Sequence, residues 1–313
     1  MANNIPMLEG TDVAGGFLVP DTYGDVLRDT ILRESAAASL SKTERVAGKR
    51  QKYTVYAGRP VAGFTAEGAK KAVTGAGFTQ ITVDIKKITA TVIYTEELLE
   101  DAREDPRVLV NADVEAAIAD VIDAHELGMA GGAAVATQFN SSLSTTTQTV
   151  ELANTGADSL PNAVSTAMGL IEANGGNPNG LILASDGRTY MRNARGPAAT
   201  SAAASPLLTR DGSFSAPLQD LWGLPIRFSS NLSTFGGAAA AGRVVGIVGD
   251  FTNAITAMRK DVAVRFSDQA TIDVSGTLYH LWQQNEVAAQ WETRVGFVVH
   301  DLNRMFVAII NAA

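Results

Sequence analysis

The sequence contains no cysteine. Disulfides, thiolate metal sites and cysteine nucleophiles are thereby excluded together. Aromatic residues make up only 6% of the 313 positions and charged residues 19%. No apolar run comes near the ~18 residues of a membrane-spanning helix, so no membrane partner is expected. There is no basic excess either. The net charge of −8 argues against a dedicated duplex DNA binder, which shows a basic stripe. It remains compatible with enclosing a phosphate-rich partner without gripping it. The start, MANNIPMLEGTD, lacks the basic-then-apolar layout of a signal peptide, so the protein is expected to act where it is made.

Signatures of catalysis are missing as well. AEGAKKAVTGAGF at 66–78 has the glycines and lysines of a phosphate cradle, but Lys70 and Lys71 precede the later glycines and a strand follows. A P-loop needs GxxxxGK[ST] between a strand and a helix, and no GK[ST] occurs. No GxGxxG stands in a strand-to-helix setting. His125-Glu126 continues as Leu127, Gly128, Met129, so the HExxH of a zincin is absent. There is no GxSxG elbow. His300-Asp301 at a strand end reads as a surface or hydrogen-bonded histidine. The carboxylate pairs Glu96-Glu97 and Glu100-Asp101 read as helix capping and a solvated face. No catalytic, cofactor-binding or metal-ligating set emerges. A Ser/His/Asp triad gathered from distant segments is the one enzymatic alternative left open.

What is present is a hydrophobic fraction of 46%, ample for a large core. Residues 1–33 begin as a polar, glycine-rich arm; Val26, Leu27, Thr30 and Ile31 have helical spacing after Pro20. An arm with so little to bury is disordered or laid on a neighbour. Tyr53, Val55 and Tyr56 mark one strand. Ile81, Val83 and Ile85, then Ile88, Ala90, Val92 and Tyr94, mark a second whose phase flips across Lys86-Lys87. These flank a glycine-, alanine- and lysine-rich tip and predict a long hairpin over 46–94. Such a hairpin cannot cover both of its faces, so it is expected to pack on another subunit. Lys70, Lys71, Arg59, Lys86 and Lys87 are the candidate inter-subunit contacts, and Gly63, Gly68, Gly75 and Gly77 the candidate hinges. The basic cluster Lys42, Arg45, Lys49, Arg50 and Lys52 is expected to meet a neighbour's carboxylates.

Thr95 reads as the cap of a helix over TEELLEDA, and Asp105-Pro106 restarts it as a long helix of roughly 20 to 24 residues ending at GMAGGAA. Val110, Val114, Ala117, Ile118 and Val121 are its predicted apolar face, with Asp123 elsewhere. Beyond a threonine-rich stretch at 135–157, a helix opens at Ser159 and Pro161 and stops at Asn174-Gly175-Gly176. A buried strand follows at 181–184, then a helix over Asp186 to Asn193. A long loop spans 196–217. The remainder is β-rich: LPIRFSS, RVVGIVG, ITAMRKDVAVRFS, NEVAAQWETRVGFVVHD and MFVAII.

The order of several of these pieces resembles the major capsid proteins of tailed bacteriophages, the Hong Kong 97-type fold. The carriers are GGFLVP at 15–20, EGAKKAVTGAGFTQITVDIKKITATVIYTEELLEDA at 67–102, WGLPIRFSSNL at 222–232, IVGDFTNAITAMRKDVAVRF at 247–266 and WETRVGFVVHDLNRMFVAI at 291–309. The resemblance implies an α+β chain in four parts. These are an N-terminal arm (1–33), an extended β-hairpin loop (46–94), a peripheral domain with a long spine helix (34–45 with 95–156 and 286–313) and an axial domain (157–285). It implies a non-enzymatic virion protein, assembled in the host bacterial cytoplasm, whose pentamers and hexamers form an icosahedral head around double-stranded DNA. No cofactor is implied. Scaffolding, portal and decoration proteins are the expected partners, and because the arm begins at the start of the sequence, the scaffold is expected to be separate or already removed. Some relatives cross-link a loop lysine to an asparagine with help from a glutamate; no such pair matches here, so no cross-link is expected. An encapsulin-like compartment that holds protein cargo is the alternative within the same fold.

Overall fold

The computed structural model describes residues 35–58, 61–71, 73–75, 77–97, 106–152, 159–193, 220–233, 243–274 and 276–311. The arm over 1–33, Arg59, most of the expected helix at 96–102 and the loop over 196–217 lie outside the described residues.

Two sheets share one core. The first is four-stranded, in the order β1 (Lys42–Arg45), β12 (Ala254–Ser267), β15 (Glu286–Val299) and β4 (Lys86–Thr95). Its axis is the antiparallel pair β12–β15, in register from Ala254↔Val299 to Ser267↔Ala288 with irregularities between Met258 and Ala263. Alternation sends Ile88, Ala90, Val92 and Tyr94 of β4, with Ala289, Trp291, Val295 and Phe297 of β15, into the core. Thr89, Thr91, Gln290, Glu292 and Arg294 occupy the opposite face.

Against the apolar face lies the long helix Pro106–Leu127. Proline opens it where no amide partner is needed. Gly128, with φ 73°, ends it in the left-handed turn that glycine adopts freely. Its 22 residues match the predicted length, but the buried stripe is rotated. Val114, Ile118, Ala119, Ile122 and Leu127 are buried, whereas Val121 and Ala117, expected inside, face outward. Asp123, expected outside, is buried with Glu126. The stripe follows 114, 118 and 122 and widens towards the C-terminus, where the short helix α1 (Ala36–Leu40) packs on it.

The second sheet is six-stranded, ordered β7 (Thr149–Leu152), β16 (Phe306–Asn311), β11 (Val244–Gly249), β8 (Gly180–Ala184), β10 (Leu224–Ser229) and β9 (Asp220–Leu221). Every residue of β8 and β11 is buried, which is why LILA and VVGIVG read as unbroken apolar runs. The helix Ser159–Ala173 lies over β7, β11 and β16, and Leu160, Val164, Ala167 and Ile171 are its buried residues at helical spacing. The helix Gly187–Asn193 follows β8 as expected.

Strand pairing does not respect the expected domain boundaries. β12, drawn with the axial segment, pairs with β15 and β1; β16, drawn with the peripheral segment, lies inside the six-stranded sheet. The chain changes sheet at two tight corners, Phe251–Asn253 and Leu302–Met305, where the Asp250 amide donates to the Met305 carbonyl at 2.9 Å. Linear segmentation could not show this, because strands choose partners by burial and register rather than by chain order.

Candidate assembly surfaces

The hairpin predicted over 46–94 is built from β2 (Arg50–Gly58) and β3 (Gly77–Asp84), antiparallel from Arg50↔Asp84 to Gly58↔Gly77. The break falls at Ile85 rather than across Lys86-Lys87. There the Ile85 amide donates to the Lys49 carbonyl at 3.0 Å, and the chain leaves the hairpin to enter the body sheet as β4.

The base of the hairpin is fastened on two sides. Arg50 Nε donates to Asp84 Oδ1 at 2.6 Å; Asn140 accepts the Asp84 amide at 2.8 Å and donates to Asp84 Oδ2 at 3.2 Å. The Arg50 guanidinium first, and Asn140 second, hold the Asp84 carboxyl below its usual range. On the other strand the Tyr53 hydroxyl donates to Glu44 Oε2 at 2.7 Å, and Lys42 Nζ lies 2.5 Å from Glu44 Oε1. Lys42 first, then Tyr53, keep Glu44 low, while burial and then Glu44 push the Tyr53 hydroxyl up to about 12. Val83 and Ile85 join Val46, Ala257 and Val298 in a small second core. Gly296 permits that approach, since a Cβ there would sit 2.7 Å from the Asp84 carbonyl oxygen. Lys42 and Arg50, expected on a neighbour's carboxylates, are thus paired within the chain.

The far end is bare. Residues 61–71 and 73–75 are exposed throughout, Val61, Phe64 and Val73 among them, and Tyr56 and Phe78 form a tilted ring pair with centroids 5.0 Å apart. One turn organises the stretch: the Ala69 amide donates to the Ala66 carbonyl at 3.0 Å, and Gly68 has φ 80°, which a β-carbon would resist. Gly63 and Gly75 are unobstructed, and Gly77 opens β3 opposite Gly58. Lys70 and Lys71 lie on this exposed loop. Lys86 is exposed at the start of β4, but Lys87 is engaged. Its Nζ lies 3.2 Å from Glu292 Oε2, and Arg294 and Lys260 approach Oε1 of the same carboxylate at 2.9 and 3.9 Å. Lys87 is the first cause holding Glu292 below its usual range.

Sequence reasoning missed two further exposed apolar features. The small hairpin β13 (Thr271–Val274) and β14 (Thr277–His280) carries Val274 and Leu278, with Trp282 in the short helix Leu281–Gln284 after it. Alternation around the turn in TIDVSGTLYH was the available signal. Trp222 stands exposed with φ 51° in the tight turn joining β9 to β10, followed by Gly223 at 81°. The pair β5 (Met129–Ala130) and β6 (Ala133–Ala134) completes the strands.

The histidines form no reacting group. The His125 ring packs edge-on to Phe139 at 6.0 Å, His280 Nδ1 lies 3.0 Å from Thr271 Oγ1, and His300 pairs with Asp301 at 3.3 Å. Among the described residues no three His, Asp or Glu side chains converge on a metal position, and no helix is long and apolar enough to cross a membrane. The chemistry on offer is burial of surface against another molecule.

A model of the phage capsid family matches residues 15–307. The chain belongs to the phage capsid family. Solved structures agree on the fold of this capsid protein. That of Microbacterium phage Oxtober96 has a TM-score of 0.70 at 20% identity, covering 88% of this chain and 91% of its own. For Mycobacterium phage Adephagia the TM-score is 0.71 at 19% identity, over 98% and 99%. The capsid of a native GTA particle computed with C5 symmetry gives 0.60 at 18% identity, over 90% and 91%. Comparison with curated proteins returns no match. The Hong Kong 97-type reading of the fold therefore holds, and the capsid protein is a structural shell component rather than an enzyme.

Proposed function

We propose that this capsid protein forms pentamers and hexamers that close into an icosahedral shell around double-stranded DNA, with the β2–β3 hairpin laid on the adjacent subunit. One observation carries the contact: the hairpin is fastened at its base by Arg50, Asp84 and Asn140, yet displays Val61, Phe64 and Val73 at its far end. Burying each of these on a neighbour contributes about 1.5–3 kcal/mol before ordering costs. Repetition over symmetric contacts multiplies so modest a gain. Lys70 and Lys71 supply the charge complement, meeting carboxylates across the contact. The acidic balance of −8 suits a wall past which packed DNA slides.

Reversing both charges, Lys70→Glu with Lys71→Glu, is expected to reduce shell yield in negative-stain images while leaving the circular dichroism and melting of the subunit unchanged. Shells at wild-type yield would remove the lysines from the contact. Subunits that stay monomeric or dimeric under every assembly condition, for the wild type, would overturn the reading as a whole.

A further inference from the structure

Asp123 and Glu126 stand one turn apart on the inner face of the long helix, 4% and 0% exposed. They face α1, which follows the first 34 residues in the chain. Asp123 is saturated with donors. Oδ1 accepts from the Ala37 amide at 3.1 Å and the Ser35 hydroxyl at 3.3 Å; Oδ2 accepts a short bond from the Ser229 hydroxyl and one from Asn231 Nδ2 at 3.4 Å. Ser35 in turn caps α1 through the Ala38 amide at 3.2 Å. Glu126 is poorly supplied. Its Oε1 accepts from Thr256 Oγ1 at 3.0 Å, and its Oε2 is buried with no hydrogen-bond partner.

No cation among the described residues offsets the pair. α1 carries no charge. On β10, Arg227 bonds Ser39 at the surface; on β12, Arg259 reaches the Ala47 carbonyl and Lys260 turns to Glu292. On β4, Lys87 also serves Glu292 on the outer face, and Tyr94 is the remaining titratable side chain turned inward. On β15, Glu292 and Arg294 lie on that same outer face, and Glu286 pairs in register with Thr95 at the far end. On the helix itself His125 is turned to Phe139. A metal ion fits no better, because the lone pairs of Asp123 are already taken by N–H and O–H groups.

We propose that Glu126 is buried carrying its proton beside the Asp123 anion, and that this proton latches α1 to the long helix. Burial pushes the Asp123 carboxyl up, but its hydrogen bonds from Ser229, Ala37, Asn231 and Ser35 oppose that and hold it as the anion, whereas Glu126, with Oε2 unpartnered, carries the proton. Burial first, and the Asp123 charge second, push Glu126 up to about 8 from an ordinary 4.5. The sign follows from linkage. When α1 lifts and water reaches the pair, Glu126 regains its ordinary acidity and releases the proton. Closure therefore weakens as pH rises from 4.5 to about 8 and changes no further above it. The fold thus holds a proton-dependent joint at the root of the N-terminal segment, one that loosens in the alkaline direction.

Amide hydrogen exchange on the full-length subunit tests this, corrected for the intrinsic effect of pH on exchange. Protection of residues 36–41 is expected to fall with rising pH, by up to about tenfold per unit at the steepest, the signature of one proton. In Glu126→Gln, protection should be flat over the same range and higher than wild type at its alkaline end. Identical pH profiles in the two proteins would overturn the latch. Infrared spectroscopy of the wild type decides independently of how the variant folds. A protonated-carboxyl band should persist at neutral pH and vanish as pH passes about 8; its absence at neutral pH would sink the proposal.

Discussion

At the base of the β2–β3 hairpin Val83 is buried against Val46 and Val298, and Asp84 is gripped by Arg50 and Asn140. At the other end Phe64 and Val73 are wholly exposed. Both ends carry valine and charged side chains. The difference is where the partner comes from. The base finds its partners in its own chain, so its direction of projection is set before any second subunit arrives. Among the described residues the tip has none, and in the proposed shell the adjacent subunit covers it. A rigid root with an unsatisfied end is what an assembling subunit needs: orientation without premature collapse of the sticky surface onto itself.

The sharpest way to break this comparison is to remove one ring from the main core and one from the hairpin tip. Phe306 is fully buried on β16, edge-on to Phe251 with centroids 5.2 Å apart. Phe306→Ala is expected to cost about 3–5 kcal/mol, read as a lower urea midpoint of the unassembled subunit. Phe64→Ala should leave that midpoint within about 0.5 kcal/mol of wild type and act instead on shell yield. Equal losses of subunit stability would mean that the exposed ring is folded into its own chain in solution, and the contrast between root and tip would fail.

A smaller effect is expected at the root. Asp84→Asn removes the charge that Arg50 and Asn140 hold, while the β2–β3 ladder and the Val83 core remain. Exchange at the β3 amides nearest the body should quicken, with little change in the global melt. Because Arg50 depresses the Asp84 carboxyl, the stabilisation is present above the ordinary aspartate range and is lost as pH falls through the lowered value. Wild-type exchange in this segment should therefore quicken on strong acidification, and the variant should not respond. A wild-type profile that is flat with acid would show that the pair does nothing to fasten the hairpin.

How legible the molecule is from sequence also differs by region. β8, β11 and the helix Ser159–Ala173 are readable because their burial pattern is local and complete. The hairpin is readable because alternation persists along both strands. The pairing of β16 with β11 is not, since the partner strand lies some sixty residues away and nothing local names it. Nor was the inward turn of Asp123. A carboxylate on a helix is normally solvated, and its burial depends on donors from Ser35, Ser229 and Asn231 brought by two separate segments. Lys87 shows the same limit from the opposite side. It stands in a run with Lys86, yet the strand period sends the two to opposite faces, and only the register of β4 on β15 brings Lys87 to Glu292. Of the exposed surfaces, the lysine-bearing tip was legible from composition. The Trp222 turn was passed over because its exposure depends on how β9 meets β10 at the sheet edge.

The finest effect concerns Tyr53, half-buried on β2 with its hydroxyl on Glu44. Ultraviolet titration should show one tyrosine ionising near 12, above the ordinary value of about 10. Burial is the first cause, the hydrogen bond to Glu44 the second and the Glu44 charge the third, so Glu44→Gln should lower that step without returning it to the ordinary range. Linkage sets the sign. Between about 10 and about 12 the opened strand ionises and the closed one does not, so β2 loses hold on the body as pH rises through that window. Tyr53→Phe should abolish this alkaline loosening of β2 while leaving the exposed tip, and the shell contacts proposed for it, untouched. Were the variant to loosen as the wild type does, the hold of β2 on the body would rest on the β2–β3 ladder and the small core alone. The root of the hairpin would then be held mainly from the Asp84 side.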